Sequence, residues 1–295
     1  MTKLKYTFKN DILFKMLFTK YPDLLQRLVA ELLNIQYESI EQFKITNPDM
    51  PPESMGDKFC RLDINMIVNG RIVDLEVQVK NEGDYPERTL FNWAREYSTA
   101  LPEGEDYSQL PRTIVVSIIY FKQFKCKEFH SEFHVLEVTR HTPLTDKLCL
   151  HYFELPKLPK AINAERGLEL WLALFKAKTE EDLENIEKME VQVMKQAIGA
   201  YRHVSASPEF REKERLYSKA RHDEAQALRK AGLDGEKRGE KRSDKKWRNV
   251  VADKDAALAD KDAKLADKDA TIADKDAENE RLRKLLAEFQ TIKDN

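Results

Sequence analysis

"LDINMIVNGRIVDLEVQVK", residues 62–80, is the stretch on which the fold turns. Asn69-Gly70 is the dipeptide favoured at the tip of a two-residue type I′ hairpin, and the runs on either side of it alternate apolar and polar residues. With Val68 opposite Arg71, Asp63 falls opposite Glu76, Arg61 opposite Gln78 and Asn65 opposite Asp74. A period of two then gathers Leu62, Ile64, Met66, Val68, Val73, Leu75, Val77 and Val79 on one face. The other face carries Arg61, Asp63, Asn65, Asp74, Glu76, Gln78 and Lys80. Slipping one strand by a single residue would expose an apolar row, so the register is well specified. Cross-strand Cβ atoms lie roughly 4.5–5.5 Å apart, a separation at which like charges destabilise the pair unless something offsets them. A divalent cation would do so.

Outward from the hairpin, the pattern is that of a mixed α/β domain. Ile12, Leu13, Met16, Leu17, Leu24, Leu25, Leu28, Val29, Leu32 and Leu33 are spaced for helices, which Tyr21-Pro22 divides into two. Pro48, Pro51 and Pro52 mark a connection before the hairpin, and a helix is expected from about Pro86 to Ala100. "RTIVVSIIYF", residues 112–121, is a continuous β-branched run suited to a buried strand, and "EFHVLEV", residues 132–138, alternates like a further one. Between Arg166 and about Arg229 helical patterns dominate, including "LELWLALF" and "VQVMKQAIGAY", and these helices are expected to cover the sheet. Trp171 and Phe175, four apart among leucines, read as core.

The chain of 295 residues is long enough for a sizeable core, and its 35% charged residues concentrate after about Glu180. A net charge of −2 excludes a uniformly basic nucleic-acid binder, leaving local patches to contact phosphate. Three cysteines, Cys60, Cys126 and Cys149, show no paired spacing and suggest reduced thiols. No secretory apolar stretch opens the chain, and no apolar run approaches the roughly 18 residues of a membrane span. A cytoplasmic protein with no membrane partner is the expectation.

The last part of the chain has a different composition. "EKRGEKRSDKKWR", residues 236–248, holds seven basic and three acidic residues and reads as a solvated linker or helix, the alternative being a phosphate-contacting arm. From Val251 a seven-residue repeat follows, "VADKDAA LADKDAK LADKDAT IADKDAE", anchored by Val251, Leu258, Leu265 and Ile272. Only alanine supplies the second seam position, so the stripe is thin for a coiled coil. Self-association would use the last turns, Leu282, Leu285, Leu286 and Phe289. The expected organisation is a domain over 1–207, a charged linker over 208–250 and a heptad-repeat tail over 251–295.

Two carboxylates a few ångströms apart suit Mg²⁺, which takes oxygen ligands, keeps several waters and is bound by one or two carboxylates plus substrate phosphate. Such an ion would polarise a phosphoryl oxygen and lower the pKa of a bound water. The hairpin resembles the signature of the PD-(D/E)xK nuclease superfamily, an Asp on one strand and D/E-x-K on the next. More specifically, "NDILFKMLF", "CRLDINM", "VDLEVQ", "YPERTLFNWAREY" and "GEDYSQLPRTIVVSIIYF" occur in the order seen in the Rpn family of recombination-promoting nucleases and transposases, a resemblance running from about Lys9 to Val138. It implies a restriction-endonuclease-like mixed sheet flanked by helices, with a charged helical or coiled-coil-like extension. The implied activity is that of a DNA endonuclease using Mg²⁺, with Mn²⁺ as substitute, and linked to recombination or mobile elements.

Residue by residue, the resemblance implies Asp63 and Glu76 as metal-binding carboxylates and the Val77 carbonyl as a further ligand. Gln78 stands where the signature lysine would be, as it does in this family. A neutral amide orients water but does not stabilise hydroxide as an ammonium does, so Lys80 is the candidate replacement cation and Arg61 the runner-up. Asp11 matches an acidic residue of the family's first helix, with a plain helix cap as the alternative; Arg88 is a candidate phosphate contact. Asp74 reads as a solvated neighbour, because a third carboxylate would need more counter-charge. Cys126, His130 and His134 recur every four residues, as zinc ligands on a helix would, but "FHSEFHVLEV" reads as turn and strand, which separates them. Against the nuclease stand two alternatives: a degenerate nuclease fold that binds without cutting, and an assembly protein whose tail matters most.

Overall fold

The computed structural model describes residues 2–47 and 62–293. Pro48, Pro51, Pro52, Cys60 and Arg61 lie outside that range, as do the side chains of Leu285, Leu286 and Phe289. The chain divides into two units, residues 1–220 and 221–295.

In the first unit, helices α1 (Asp11–Lys20) and α2 (Pro22–Leu32) form the expected pair, broken where Pro22 opens the second. The cap of α1 is Asn10, whose side chain accepts from the Leu13 amide at 2.9 Å, so Asp11 is the first helical residue and not the cap. A short strand β1 (Phe43–Ile45) precedes the hairpin strands β2 (Leu62–Val68) and β3 (Arg71–Gln78). Helix α3 (Tyr85–Thr99) follows, then β4 (Thr113–Ile119), β5 (His130–Phe133) and β6 (Leu148–Glu154). Helices α4 (Gly167–Lys176), α5 (Glu180–Glu187) and α6 (Gln192–Ala206) come next, and α7 is Pro208–Lys293.

The six strands make one mixed sheet in the order β1-β2-β3-β4-β6-β5. The β2–β3 register is the one read from the turn: Val68 pairs with Arg71, Asn65 with Asp74 and Asp63 with Glu76. Asn69 and Gly70 both have positive φ, 47° and 73°, as a type I′ turn requires. Strands β3 and β4 are parallel, with α3 as their crossover, and β4 and β6 are parallel as well.

Both faces of the sheet are covered. On one lie Ile64, Met66, Leu75, Val116, Ile118 and Phe153, packed in a single core with α1, α2, α4 and α6. Trp171 is 1% exposed and Phe175 fully buried among the rings of Phe8, Phe14 and Phe18, where truncation of a large aromatic costs about 3–5 kcal/mol. Val115, Ile119, Leu148, Leu150 and Tyr152 form a smaller cluster with Tyr85 and Trp93 of α3 on the other face. That corrects the reading of Asp74 as a solvated neighbour: it is buried beside Glu76. A second correction concerns "EFHVLEV", of which only Glu132 and Phe133 are strand, the end of β5; Leu136 and Val138 are exposed.

The first turns of α7 belong to the compact unit. Phe210 is fully buried, with its ring edge-on to Tyr6 at 4.8 Å, and Asn10 Nδ2 donates to Glu214 at 2.9 Å. In the second unit the helix shows its repeat anchors to solvent: Val251, Leu258, Leu265 and Ile272 are all exposed. Among the described residues no helix is long and apolar enough to cross a membrane.

Candidate functional site

Strand pairing puts Asp63 directly across from Glu76, and β4 puts Ser117 on the far side of Glu76. Glu76 is only 7% exposed. An ionised carboxylate at such a position needs donors, and α3 supplies two. The Tyr85 hydroxyl donates to Glu76 Oε2 at 3.2 Å, and Asn92 Nδ2 donates to Oε1 at 2.8 Å. Each oxygen uses one lone pair in these bonds and keeps one for a ligand. Burial, and after it the charge of Glu76, push the Tyr85 phenol well above its ordinary value, so it stays protonated and able to donate.

Helix α3 is fixed over the sheet by contacts of its own. Trp93 Nε1 donates to the Thr113 carbonyl at 3.0 Å, and the Tyr85 ring meets Phe121 and Tyr152 edge-on. The link from β3 turns at Gly83, where φ is +93°, a conformation a side chain would strain, and the Gly83 amide donates to Asn81 Oδ1 at 2.9 Å. Tyr85, Thr89 and Asn92 are all buried on one side of α3. Sequence reasoning gave neither Tyr85 nor Asn92 a role at the site. The available signal was their i, i+4, i+7 spacing, a polar stripe where a sheet-facing helix ordinarily shows apolar residues.

The remaining predicted residues fall around this pair. Val77 turns its side chain into the main core, leaving only its carbonyl as a possible ligand. Strand β3 ends at Gln78, whose Nε2 donates to the Lys80 carbonyl at 2.8 Å. Lys80 therefore sits in an exposed bend and not one pleat further along the strand, because the Gln78 amide draws the chain round. Arg88 pairs with Glu82 at 3.1 Å and lies over the Tyr85 ring. Asp11 opens α1, which packs on β2 from the side of Ile64 and Leu75. Arg61 lies outside the described residues.

The donors on this face fit a hard cation. Asp63, Asp74 and Glu76 offer carboxylates and Asn65 an amide, and Asn65 Oδ1 is buried with no hydrogen-bond partner among the described residues. All are oxygen ligands, the set that Mg²⁺ and Mn²⁺ prefer. Among the described residues these acids do not gather three ligand atoms within 4.8 Å of one another.

Residues 8–231 match the model of the PD-(D/E)XK nuclease family transposases, and the chain belongs to that family. The match runs over the hairpin, its crossover helix and the helices of the opposite face. No curated protein matches the chain, nor does any solved structure. The family is one of nucleases, which as a class use divalent metals.

Proposed function

We propose that this chain is a Mg²⁺-dependent DNA endonuclease that hydrolyses phosphodiester bonds by direct attack of water, in the service of DNA recombination or mobile elements. The observation that carries the proposal is the cross-strand pair Asp63 and Glu76, the second of which is buried and held by Tyr85 and Asn92. Family membership supports the nucleic-acid substrate.

When bound, the cation supplies Lewis acidity toward a phosphoryl oxygen and a more acidic water. Asp63 and Glu76 would hold it, with the Val77 carbonyl as a further ligand and Asp11 as an accessory acid. Tyr85 and Asn92 hold the Glu76 carboxylate in place. Gln78 would orient the attacking water. Lys80 is the nearest candidate in sequence for the positive charge the signature lysine gives elsewhere, Arg61 is the alternative, and Arg88 would contact a phosphate of the bound strand. Mn²⁺ would replace Mg²⁺ at these oxygen ligands.

The test is nicking of supercoiled plasmid by wild type, Asp63→Ala and Glu76→Ala, with Mg²⁺, with Mn²⁺ and with chelator. Cutting by wild type alone, only with metal, is expected. Full nicking by either variant, or cutting in chelator, overturns the assignment.

One observation favours a second reading, a nuclease fold that binds DNA without cutting it. The place of the signature lysine is filled by Gln78, whose amide is already bonded to the Lys80 carbonyl. Plasmid binding without Mg²⁺-dependent turnover at high protein concentration would select this reading. In either case the exposed stripe through Val251, Leu258, Leu265, Ile272 and Leu282 would support a homo-oligomer. Equal sedimentation behaviour at all concentrations for the full chain, and for a chain ending at Ala220, would remove that idea.

A further inference from the structure

On the sheet face opposite Glu76, strands β5 and β6 gather a second set of ligating side chains. Glu132 pairs in register with His151, and the same antiparallel register carried one step beyond β5 sets His134 against Cys149. Glu132 and His134 are two apart, as are Cys149 and His151, so all four point to one side. His134 Nε2 is 2.7 Å from Glu132 Oε1, and Cys149 Sγ is 3.1 Å from His151 Nε2, 3.6 Å from Glu132 Oε1 and 3.8 Å from His134 Nε2. His151 Nε2 and Glu132 Oε1 are 4.0 Å apart. Zinc bonds of about 2.0–2.3 Å in a tetrahedron require ligand separations of roughly 3.3–3.6 Å. Glu132, His134 and Cys149 have ligand atoms within 4.8 Å of one another, as do His130, Glu132 and His151, and Cys149 links the first set to His151 at 3.1 Å.

We propose that Glu132, His134, Cys149 and His151 form a structural Zn²⁺ site that clamps the edge strand β5 to β6, separate from the acidic hairpin. The donor chemistry sets the two sites apart. Imidazole and thiolate are borderline and soft ligands that select zinc and its neighbours over Mg²⁺. Four protein ligands close the coordination shell, as structural zinc sites do.

The outer contacts are also those of a metal site. The second nitrogen of His134 faces the Leu148 carbonyl at 3.2 Å, and that of His151 faces His130 Nε2 at 3.0 Å. Each imidazole would thus have its non-ligating nitrogen fixed, which sets tautomer and ring orientation. Cys149 is fully buried while His134 and Glu132 reach solvent, which leaves the ion a way in. On binding, the Cys149 thiol gives its proton to solvent and coordinates as thiolate, and the imidazoles coordinate neutral. Cys126, the other cysteine among the described residues, is not a member: its sulfur lies near Ser131 and Lys157.

The experiment titrates untagged, metal-stripped, full-length protein with Co²⁺ and then displaces it with Zn²⁺. One equivalent should bind with the d–d bands of tetrahedral cobalt and a thiolate charge-transfer band, and Zn²⁺ should abolish both. Cys149→Ser should remove the charge-transfer band. His134→Ala, at a solvent-reaching position that tolerates truncation, should weaken binding, and His130→Ala should weaken it by roughly 10–100-fold as outer-shell changes do. Cys126→Ser and Asp63→Ala should bind as wild type. Lack of binding by wild type overturns the proposal, as does a charge-transfer band that survives Cys149→Ser or disappears in Cys126→Ser. Circular dichroism of each variant separates loss of ligand from loss of fold.

Discussion

Tyr85→Phe removes one oxygen atom from the candidate site and leaves the ring in place. The edge contacts of that ring with Phe121 and Tyr152, at centroid distances of 5.8 and 6.1 Å, survive. What goes is the hydroxyl donated at 3.2 Å to the buried Glu76 carboxylate. Hydrogen bonds to charged groups contribute about 1.5–3 kcal/mol, and a bond of this length belongs at the low end, about 1.5 kcal/mol. For a unit of this size the melting temperature falls by about 2–4 °C per kcal/mol, so a drop of about 3–6 °C is expected. The assay is thermal and urea unfolding, without added metal, of wild type, Tyr85→Phe, Glu76→Ala and the double variant. In the Glu76→Ala background the charged acceptor is gone and only Ser117 and Thr89 remain near the hydroxyl, so removing it should cost much less. The cycle should close with a coupling of about 1.5 kcal/mol. In plasmid cleavage Tyr85→Phe should lower kcat and leave KM unchanged, as expected of a group that positions a ligand and does not touch DNA. An equal stability cost in both backgrounds would show that the hydroxyl does not hold the carboxylate, and the account of the site would fail.

Asn92→Leu should weaken Mg²⁺ binding, read as a higher Mg²⁺ concentration for half-maximal nicking, because its 2.8 Å bond restrains the other Glu76 oxygen; an unchanged metal requirement contradicts this. Lys80→Met should slow cleavage on the order of a hundredfold if its ammonium replaces the signature lysine, the lower end of the range for a positioned acid–base group; wild-type rates would return the role to Arg61. Phe210→Ala should cost about 3–5 kcal/mol by emptying a fully buried site, measurable in urea, whereas ending the chain at Ala220 should leave the melting temperature near that of the full chain. Asn10→Ala should lower stability by about 1 kcal/mol through loss of the α1 cap, and an unchanged urea midpoint would count against that capping role.

Much of the architecture could be read from local chemistry. Asn69-Gly70 admits few turn geometries, and the alternation on either side admits one register, so the pairing of Asp63 with Glu76 followed from the residues alone. Pro22 divided α1 from α2 for an equally local reason. Strand β1 escaped because three residues are too few for an alternation to register. Strand β6, "LCLHYFE", escaped because Cys149, His151 and Glu154 interrupt an otherwise apolar run, although all of it is buried. Those polar residues are satisfied by partners from elsewhere in the chain: Glu154 accepts from the Gln123 amide at 2.6 Å and His151 meets His130. Asn92 was missed for the same cause, since its partner is on another element and nothing beside it in sequence marks it out. The burial of Asp74 was likewise invisible until α3 was seen to cover that face.

The crossover that joins β3 to β4 has a kinetic consequence. Glu76 finds its two donors only 9 and 16 residues further along the chain, so closing these contacts costs little loop entropy. Contacts of such short range are expected to form before one like that of Asn10 with Glu214, which closes a loop of 204 residues. The candidate site is therefore a contiguous cassette of hairpin and helix, expected to form ahead of the long-range contacts between α1 and α7.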